Sequence, residues 1–209
     1  MLEMVHWLGH ASFRMDASKT IFFDPWEISG QEKKAGIVLV SHEHFDHCSR
    51  QDIEKISKED TVVVGSVQCK KELGEIKTLK PGEKISIQGV KIEAVPAYNI
   101  NKFRVPGKPF HPKEDQKIGF VVEIDGKRIY HAGDTDNIPE MSKLKNIDIA
   151  LLPVSGTYVM TAEEAAEAAN SFRPKTAVPM HFGKIVGSER DAEKFQKLCR
   201  CTVKILAKE

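Results

Sequence analysis

The run Ser41-His42-Glu43-His44-Phe45-Asp46-His47 constrains this chain more than any other stretch, because it places four good metal ligands within six residues. It follows Ile37-Val38-Leu39-Val40, an apolar run that reads as a short buried strand. An H-x-H-x-D-H cluster at a strand's C-terminal end is hard to explain as packing. In a core, each imidazole and carboxylate would need a hydrogen-bond partner or would have to stay neutral. As solvated surface, the residues would have no reason for their spacing. Neutral imidazoles with a carboxylate suit zinc or another borderline divalent ion. His42 and His44, two apart in an extended segment, point the same way. Asp46 and His47 then come from a turn that folds back. That geometry predicts two metals sharing one loop.

Around this motif the strands come early and the helices late. Strands are expected at Met4-Leu8, Ser12-Met15, Thr20-Asp24, Ile37-Val40, Thr61-Gly65, Lys84-Ile87 and Val90-Val95. A second set is Gly119-Ile124, Arg128-His131, Ile149-Pro153, Thr176-Pro179 and Thr202-Leu206, with Asp125-Gly126 a strong hairpin signal between the first two. Thr161 to Glu164 has capping-box spacing before the stripe Ala162, Ala165, Ala166, Ala169 and Phe172. Ser188 to Leu198 is a second helix, and shorter ones are expected at Arg50-Ile56 and Val67-Leu73. This order predicts an α/β fold of two sheets packed face to face with helices outside. With 209 residues and no low-complexity linker, residues 1–209 read as one domain.

Lys+Arg at 31 against Asp+Glu at 30 leaves nothing global to steer the chain to nucleic acid or an anionic membrane. No apolar run approaches the ~20 residues of a membrane span. The N-terminus lacks the pattern of a signal peptide, and the four cysteines (Cys48, Cys69, Cys199, Cys201) lack C-x-x-C spacing, as expected of reduced thiols in a cytoplasmic protein.

Two more ligand candidates stand at the ends of apolar strands. Tyr130-His131-Ala132-Gly133-Asp134-Thr135 presents Asp134 in a small-residue turn, and Pro179-Met180-His181-Phe182-Gly183 presents His181. A carboxylate can bridge two cations, and a histidine can complete a shell. Each is ambiguous alone, since an Asp in a G-D-T turn is commonly a turn former. Their weight comes from the ordered set.

With Phe22-Phe23-Asp24-Pro25, H-x-H-x-D-H, G-D-T and the late His181 in that order, the chain resembles the metallo-β-lactamase fold superfamily over nearly its whole length. Trp7-Leu8-Gly9-His10-Ala11-Ser12 beside Phe23-Asp24-Pro25 looks like its branch of small stand-alone hydrolases, the ascorbate-6-phosphate lactonase-like proteins among them. The resemblance implies a four-layer αββα sandwich of two mixed sheets. It implies one metal on His42, His44 and a third ligand, a second on Asp46, His47 and His181, and Asp134 bridging. Zinc is the expected ion, with manganese or iron as alternatives. Where relatives carry the third ligand as a histidine, this chain reads Pro96-Ala97-Tyr98-Asn99, so His111, Asn99 or water is left to complete a first site that could be weak. Asp24 and His10, both at strand ends, are expected behind the ligands: Asp24 to hold a ligating imidazole or brace the loop's backbone, His10 to stand near the site or to be an ordinary satisfied histidine. His6 is expected to be structural and Cys48 a small buried side chain, while His131 could face either way.

The resemblance implies a hydrolase acting through a water activated between two metals, with Asp46 able to accept its proton. No Gly-x-Ser-x-Gly elbow is present to suggest a serine hydrolase. The spacing of the motifs leaves no room for the large inserted domain of the nucleic-acid-cleaving relatives, and few residues follow His181, which favours a small substrate. Asn99 to Lys117 reads as the specificity loop, with Lys102, Arg104, Lys108, Lys113 and Lys117 against Glu114 and Asp115. Lys102, Arg104, Lys108 and Lys113, with Tyr158 after a later strand, are the candidate contacts to an anionic substrate. A small phosphoester or lactone is the leading expectation. A metal-binding regulatory or assembly protein without turnover is the alternative, and a small nuclease or phosphodiesterase comes third. A homo-oligomer is left open.

Overall fold

In the computed structural model, which describes residues 2–29 and 32–209, two large mixed sheets face each other. The first holds β1 (Val5–Gly9), β2 (Ser12–Asp16), β3 (Thr20–Phe23), β4 (Ile37–Val40), β5 (Val62–Gly65) and β6 (Lys77–Thr78), in that spatial order. The first three pair antiparallel, and β3 to β6 run parallel. The chain then forms β7 (Lys84–Ile87), β8 (Val90–Pro96), the short β9 (Phe103–Val105) and β10 (Lys108–Pro109), β11 (Ile118–Ile124), β12 (Lys127–His131), β13 (Ile149–Pro153), β14 (Thr176–Met180) and β15 (Thr202–Val203). The second sheet runs β15-β14-β13-β12-β11-β8-β7, while β9 and β10 pair only with each other. Met1 lies outside the described residues, and Leu2–Met4 is a single 3-10 turn before β1.

Strand alternation builds the layers. In β4, Ile37 and Leu39 enter the core between the sheets with Phe13, Phe120 and Ile92. Val38 and Val40, one residue out of step, pack with Phe22 against Ile53 and Ile56 of α1 (Arg50–Ile56). After the short α2 (Lys70–Leu73), α3 (Ala162–Phe172) and α4 (Glu189–Leu198) pack on each other, on β13 and on β14. The expected capping box is present, with Thr161 and Glu164 each bonding the other's backbone. Pro179 sits in β14 beyond the reach of β15, which pairs only with Thr176 and Ala177, so its missing N–H breaks no ladder there. No helix among the described residues is long and apolar enough to cross a membrane.

The parallel strands β3 and β4 of one sheet and β12 and β14 of the other send their chain ends toward one edge of the sandwich. Asp24, the His42–His47 loop, Asp134 and His181 follow them directly, in the position where open α/β sheets commonly bind ligands.

Candidate metal centre

The side chains converge on Asp134, which is 3% exposed at the end of the β12 strand. Its Oδ1 lies 3.3 Å from His47 Nε2 and 3.2 Å from His181 Nε2. Its Oδ2 lies 3.5 Å from His111 Nε2 and 3.9 Å from His42 Nε2. The ligand atoms fall into two groups, each with all members within 4.8 Å of one another: His42, His44, His111 and Asp134, and His10, Asp46, His47 and His181. Either group is able to bind a metal ion.

Four of the six imidazoles are oriented from behind. His47 Nδ1–H donates to Asp24 Oδ2 at 2.7 Å, and the same carboxylate accepts Ser41 Oγ at 2.6 Å and the Ser41 N–H at 2.7 Å. Ser41 Oγ lies in turn 2.9 Å from His42 Nδ1. His111 Nδ1–H donates to Asn99 Oδ1 at 2.9 Å, and Ser155 Oγ sits 3.1 Å from His181 Nδ1. In all four rings Nδ1 is held and Nε2 is left facing Asp134. Partners of this kind fix the tautomer and ring angle of metal-ligating histidines.

The electrostatics are those of a cation site. Burial works against ionising Asp134, but His181 and His47 hold its carboxyl well below the usual range. Burial opposes protonating His47, yet Asp134 and Asp24 raise it well above an ordinary histidine. Burial, with the charge of His47, drives His42 well down, and burial pushes His111 down to about 4. Among the described residues, His47 Nε2, His181 Nε2, Asp134 Oδ1 and His10 Nδ1 are buried with no hydrogen-bond partner. Unmet buried donors and acceptors of this sort are costly in a native fold, and three of these four atoms face each other. Nitrogen and carboxylate donors in this number fit a pair of divalent ions such as zinc.

Asn99 is not among the converging groups. Its Oδ1 takes both the backbone N–H and the Nδ1–H of His111, and its amide donates to Asp136 Oδ1 and the Tyr158 carbonyl. His111, by contrast, is grouped with His42, His44 and Asp134. His10 stands closer than expected: its Nε2 is 3.1 Å from Asp46 Oδ2, and its ring centroid is 3.9 Å from that of His181. His131 turns away into the core, bonding the Ala11 carbonyl and stacking on Phe23. His6 pairs with Asp16 near the surface, and Cys48 is buried.

The expected substrate lysines are corrected. Lys102 is held by Glu164 at 2.7 Å, Lys113 by Glu140 at 3.0 Å, and Lys117 is buried against Glu43. Lys108 stands exposed on β10 and does not line the cavity beside the cluster. Of the basic side chains named earlier only Arg104 lines that cavity of about 320 Å³, together with Tyr158, Phe45, Phe110 and Ile185. Asn99 to Lys117 is also more ordered than expected, carrying the β9–β10 hairpin. Its anchor, missed in the sequence, is Asp136, which accepts the N–H groups of Ile100 and Asn101 at 2.7 and 2.8 Å. Its position two residues after Asp134 was the available signal.

Residues 4–181 match a family model described as the beta-lactamase superfamily domain. A UPF0173 metal-dependent hydrolase of Pelotomaculum thermopropionicum is 34% identical over 92% of this chain and 90% of its own length. Another, from Thermoplasma acidophilum, is 33% identical over 92% of this chain and 88% of its own. A crystal structure from Parabacteroides distasonis, of a protein inferred to be a metal-dependent hydrolase, superposes with a TM-score of 0.84. It is 36% identical and covers 96% of this chain and 91% of that one.

Proposed function

The chain belongs to the beta-lactamase superfamily domain family, and from that premise we propose that it is a cytoplasmic metal-dependent hydrolase of small, anionic phosphoesters or lactones. The observation that carries the reading is Asp134, whose two oxygens face two separate sets of buried imidazole nitrogens. His42, His44 and His111 would hold one divalent ion, and Asp46, His47 and His181, with His10 beside them, the other. Asp134 would serve both. When bound, such a pair lowers the pKa of a shared water from ~15.7 toward neutrality and polarises the oxygen of the scissile bond.

The chain's own residues supply the rest. Asp46 belongs to the buried cluster and also lines the cavity, so it can take the proton of the attacking water. His10 steadies that carboxylate from behind at 3.1 Å. Arg104 and Tyr158 stand at the mouth, where a substrate anion would enter.

A non-catalytic binding role drew its support from an open position at Asn99, and the place of His111 beside His42, His44 and Asp134 speaks against it. A nuclease would favour several cations along a track, and the cavity wall offers one arginine. Protein loaded with Zn²⁺ or Mn²⁺ should hydrolyse a phosphodiester or a lactone reporter, and Asp134→Ala should abolish that turnover. Loaded protein inert toward both classes would overturn the reading.

A further inference from the structure

We propose that the substrate joins one anionic oxyacid group to an aryl or branched apolar body, with Arg104 taking the charge and Phe45, Phe110, Tyr158 and Ile185 taking the body. This rests on the cavity beside the cluster being the active site, and it narrows what that site accepts.

Three observations carry it. First, part of the cavity wall is apolar, beside the polar cluster. Phe110 and Tyr158 meet edge to face with ring centroids 4.8 Å apart, and Phe45 and Ile185 line the same cavity. Second, that apolar surface is open to water. Phe45, set between His44 and Asp46, is 69% exposed and Ile185 is 40% exposed, although both lie against the buried cluster. An apolar patch rimming a polar pocket marks a surface built to be covered. Third, among the described residues the one guanidinium on the wall is uncommitted. Arg104 lies over the Phe110 ring, 5.7 Å from its centroid, and has no carboxylate partner among the described residues. Lys102, Lys113 and Lys117 of the same segment are paired with Glu164, Glu140 and Glu43, and Lys108 does not line the cavity.

One free cation on an aromatic wall suits a ligand with one negative charge and a ring beside it. It does not suit a polyhydroxylated sugar phosphate, which would need several hydrogen-bond donors where Phe45, Phe110 and Ile185 stand. The cavity of about 320 Å³ is sized for a small molecule of this kind.

The test compares binding of non-hydrolysable anions to metal-loaded protein by calorimetry: phenylphosphonate against methylphosphonate, and benzoate against acetate. The matched pairs share the anion and differ only in the apolar body, and the two anions separate a phosphoryl from a carboxylate ligand. At least one aryl member should bind about tenfold or more tightly than its methyl partner. Phe110→Ala should bring the aryl ligand down to the level of its partner, while Phe110→Leu, which keeps the apolar bulk, retains most of the difference. Arg104→Met should weaken both members of the pair several-fold. Equal binding within each pair, or an aryl preference untouched by Phe110→Ala, would overturn the proposal. So would a concentration-dependent dimer that dissociates on Phe45→Ser or Ile185→Ser while the pairs bind alike, since a second copy of the chain would then be what covers the rim. None of these anions is turned over, so protein that binds them as expected yet hydrolyses no ester would count against the hydrolase reading alone.

Discussion

Asp24 Oδ2 accepts the Nδ1–H of His47 at 2.7 Å, from a carboxylate that is itself fully buried. The same oxygen accepts Ser41 Oγ, and Ser41 Oγ reaches His42 Nδ1. One carboxylate therefore braces an imidazole in each of the two clusters, the first directly and the second through a hydroxyl. The left-handed backbone at Asp24, φ 42°, is part of this arrangement, because it turns the chain out of β3 with the side chain under the His42–His47 loop.

Asp24→Asn should therefore loosen both clusters. An amide cannot accept from Ser41 N, Ser41 Oγ and His47 Nδ1 together, since one of its two arms is a donor. Metal affinity should fall about 10- to 100-fold at each site, whereas Ser41→Ala should weaken only the site that contains His42. Competition titration against a chromophoric chelator reads the two sites separately. Equal losses from both variants, confined to one metal equivalent, would refute the shared brace.

Chelation should lower the melting temperature and Zn²⁺ or Mn²⁺ should restore it. Without a cation, the fold buries His47 Nε2, His181 Nε2 and Asp134 Oδ1 without hydrogen-bond partners. A ligand that binds only the folded state adds about 2.7 kcal/mol at a hundredfold excess over its dissociation constant. Calorimetry before and after dialysis against chelator measures this, and an unchanged transition would mean that no metal is held there.

The sequence shows the ligands more clearly than their supports. His42, His44, Asp46 and His47 are adjacent, and each of Asp134 and His181 closes an apolar strand, so period and position alone expose them. Asn99 is twelve residues from His111 and Ser155 is twenty-six from His181, and those pairs exist only once the strands are stacked. Lys102 and Lys113 looked free because their partners, Glu164 and Glu140, arrive from distant elements. Strand boundaries followed the apolar runs of β4 and β13 and the alternation of β7. The two-residue β6 and the β9–β10 hairpin were too short for any period to register.

Gly119→Ala should destabilise the fold on the order of 3 kcal/mol. A Cβ at Gly119 would lie 2.5 Å from the carbonyl oxygens of both His131 and Ala132, and these are backbone atoms that cannot swing away. Those carbonyls lead into Gly133 and Asp134, so metal content should drop along with the urea midpoint. A change below about 0.5 kcal/mol, as for an ordinary surface site, would show that β11 and the Asp134 turn are not so closely apposed.

At acid pH, Asp52 should be one source of lost stability. Burial alone would raise its carboxyl, but Lys55, Ser49 and the N–H groups of Glu27 and Ile28 outweigh that and leave it below the ordinary value. A carboxyl depressed in the folded state contributes its stability above the unfolded pKa of about 3.9, and loses it as pH falls through the lower folded value. The stability gap between wild type and Asp52→Asn should be widest near neutrality and should narrow below about pH 4. Urea titrations from pH 6 to pH 3, on the order of one per pH unit, would show this. A gap that grows on acidification would reverse the sign.

Asn99 offers the sharpest separation between holding a ligand and being one. Its oxygen takes two donors from His111 at 2.8 and 2.9 Å, and its amide is spent on Asp136 and the Tyr158 carbonyl. In Asn99→Ala, two buried donors of His111 lose their acceptor, at about 1–3 kcal/mol for each left unmet. The ring is then free to turn its Nε2 away from Asp134, and the β9–β10 segment loses one of its ties. Affinity at the site built on His42 and His44 should fall about 10- to 100-fold, and proteolysis near Arg104 and Lys108 should quicken. The decisive comparison is the double mutant. If Asn99 acts only through His111, then Asn99→Ala should cost almost nothing further in a His111→Ala background, a coupling that a cycle of metal affinities measures directly. If the two losses simply add, Asn99 supports the site by another route, and the gap in the first ligand set was not closed by His111 alone.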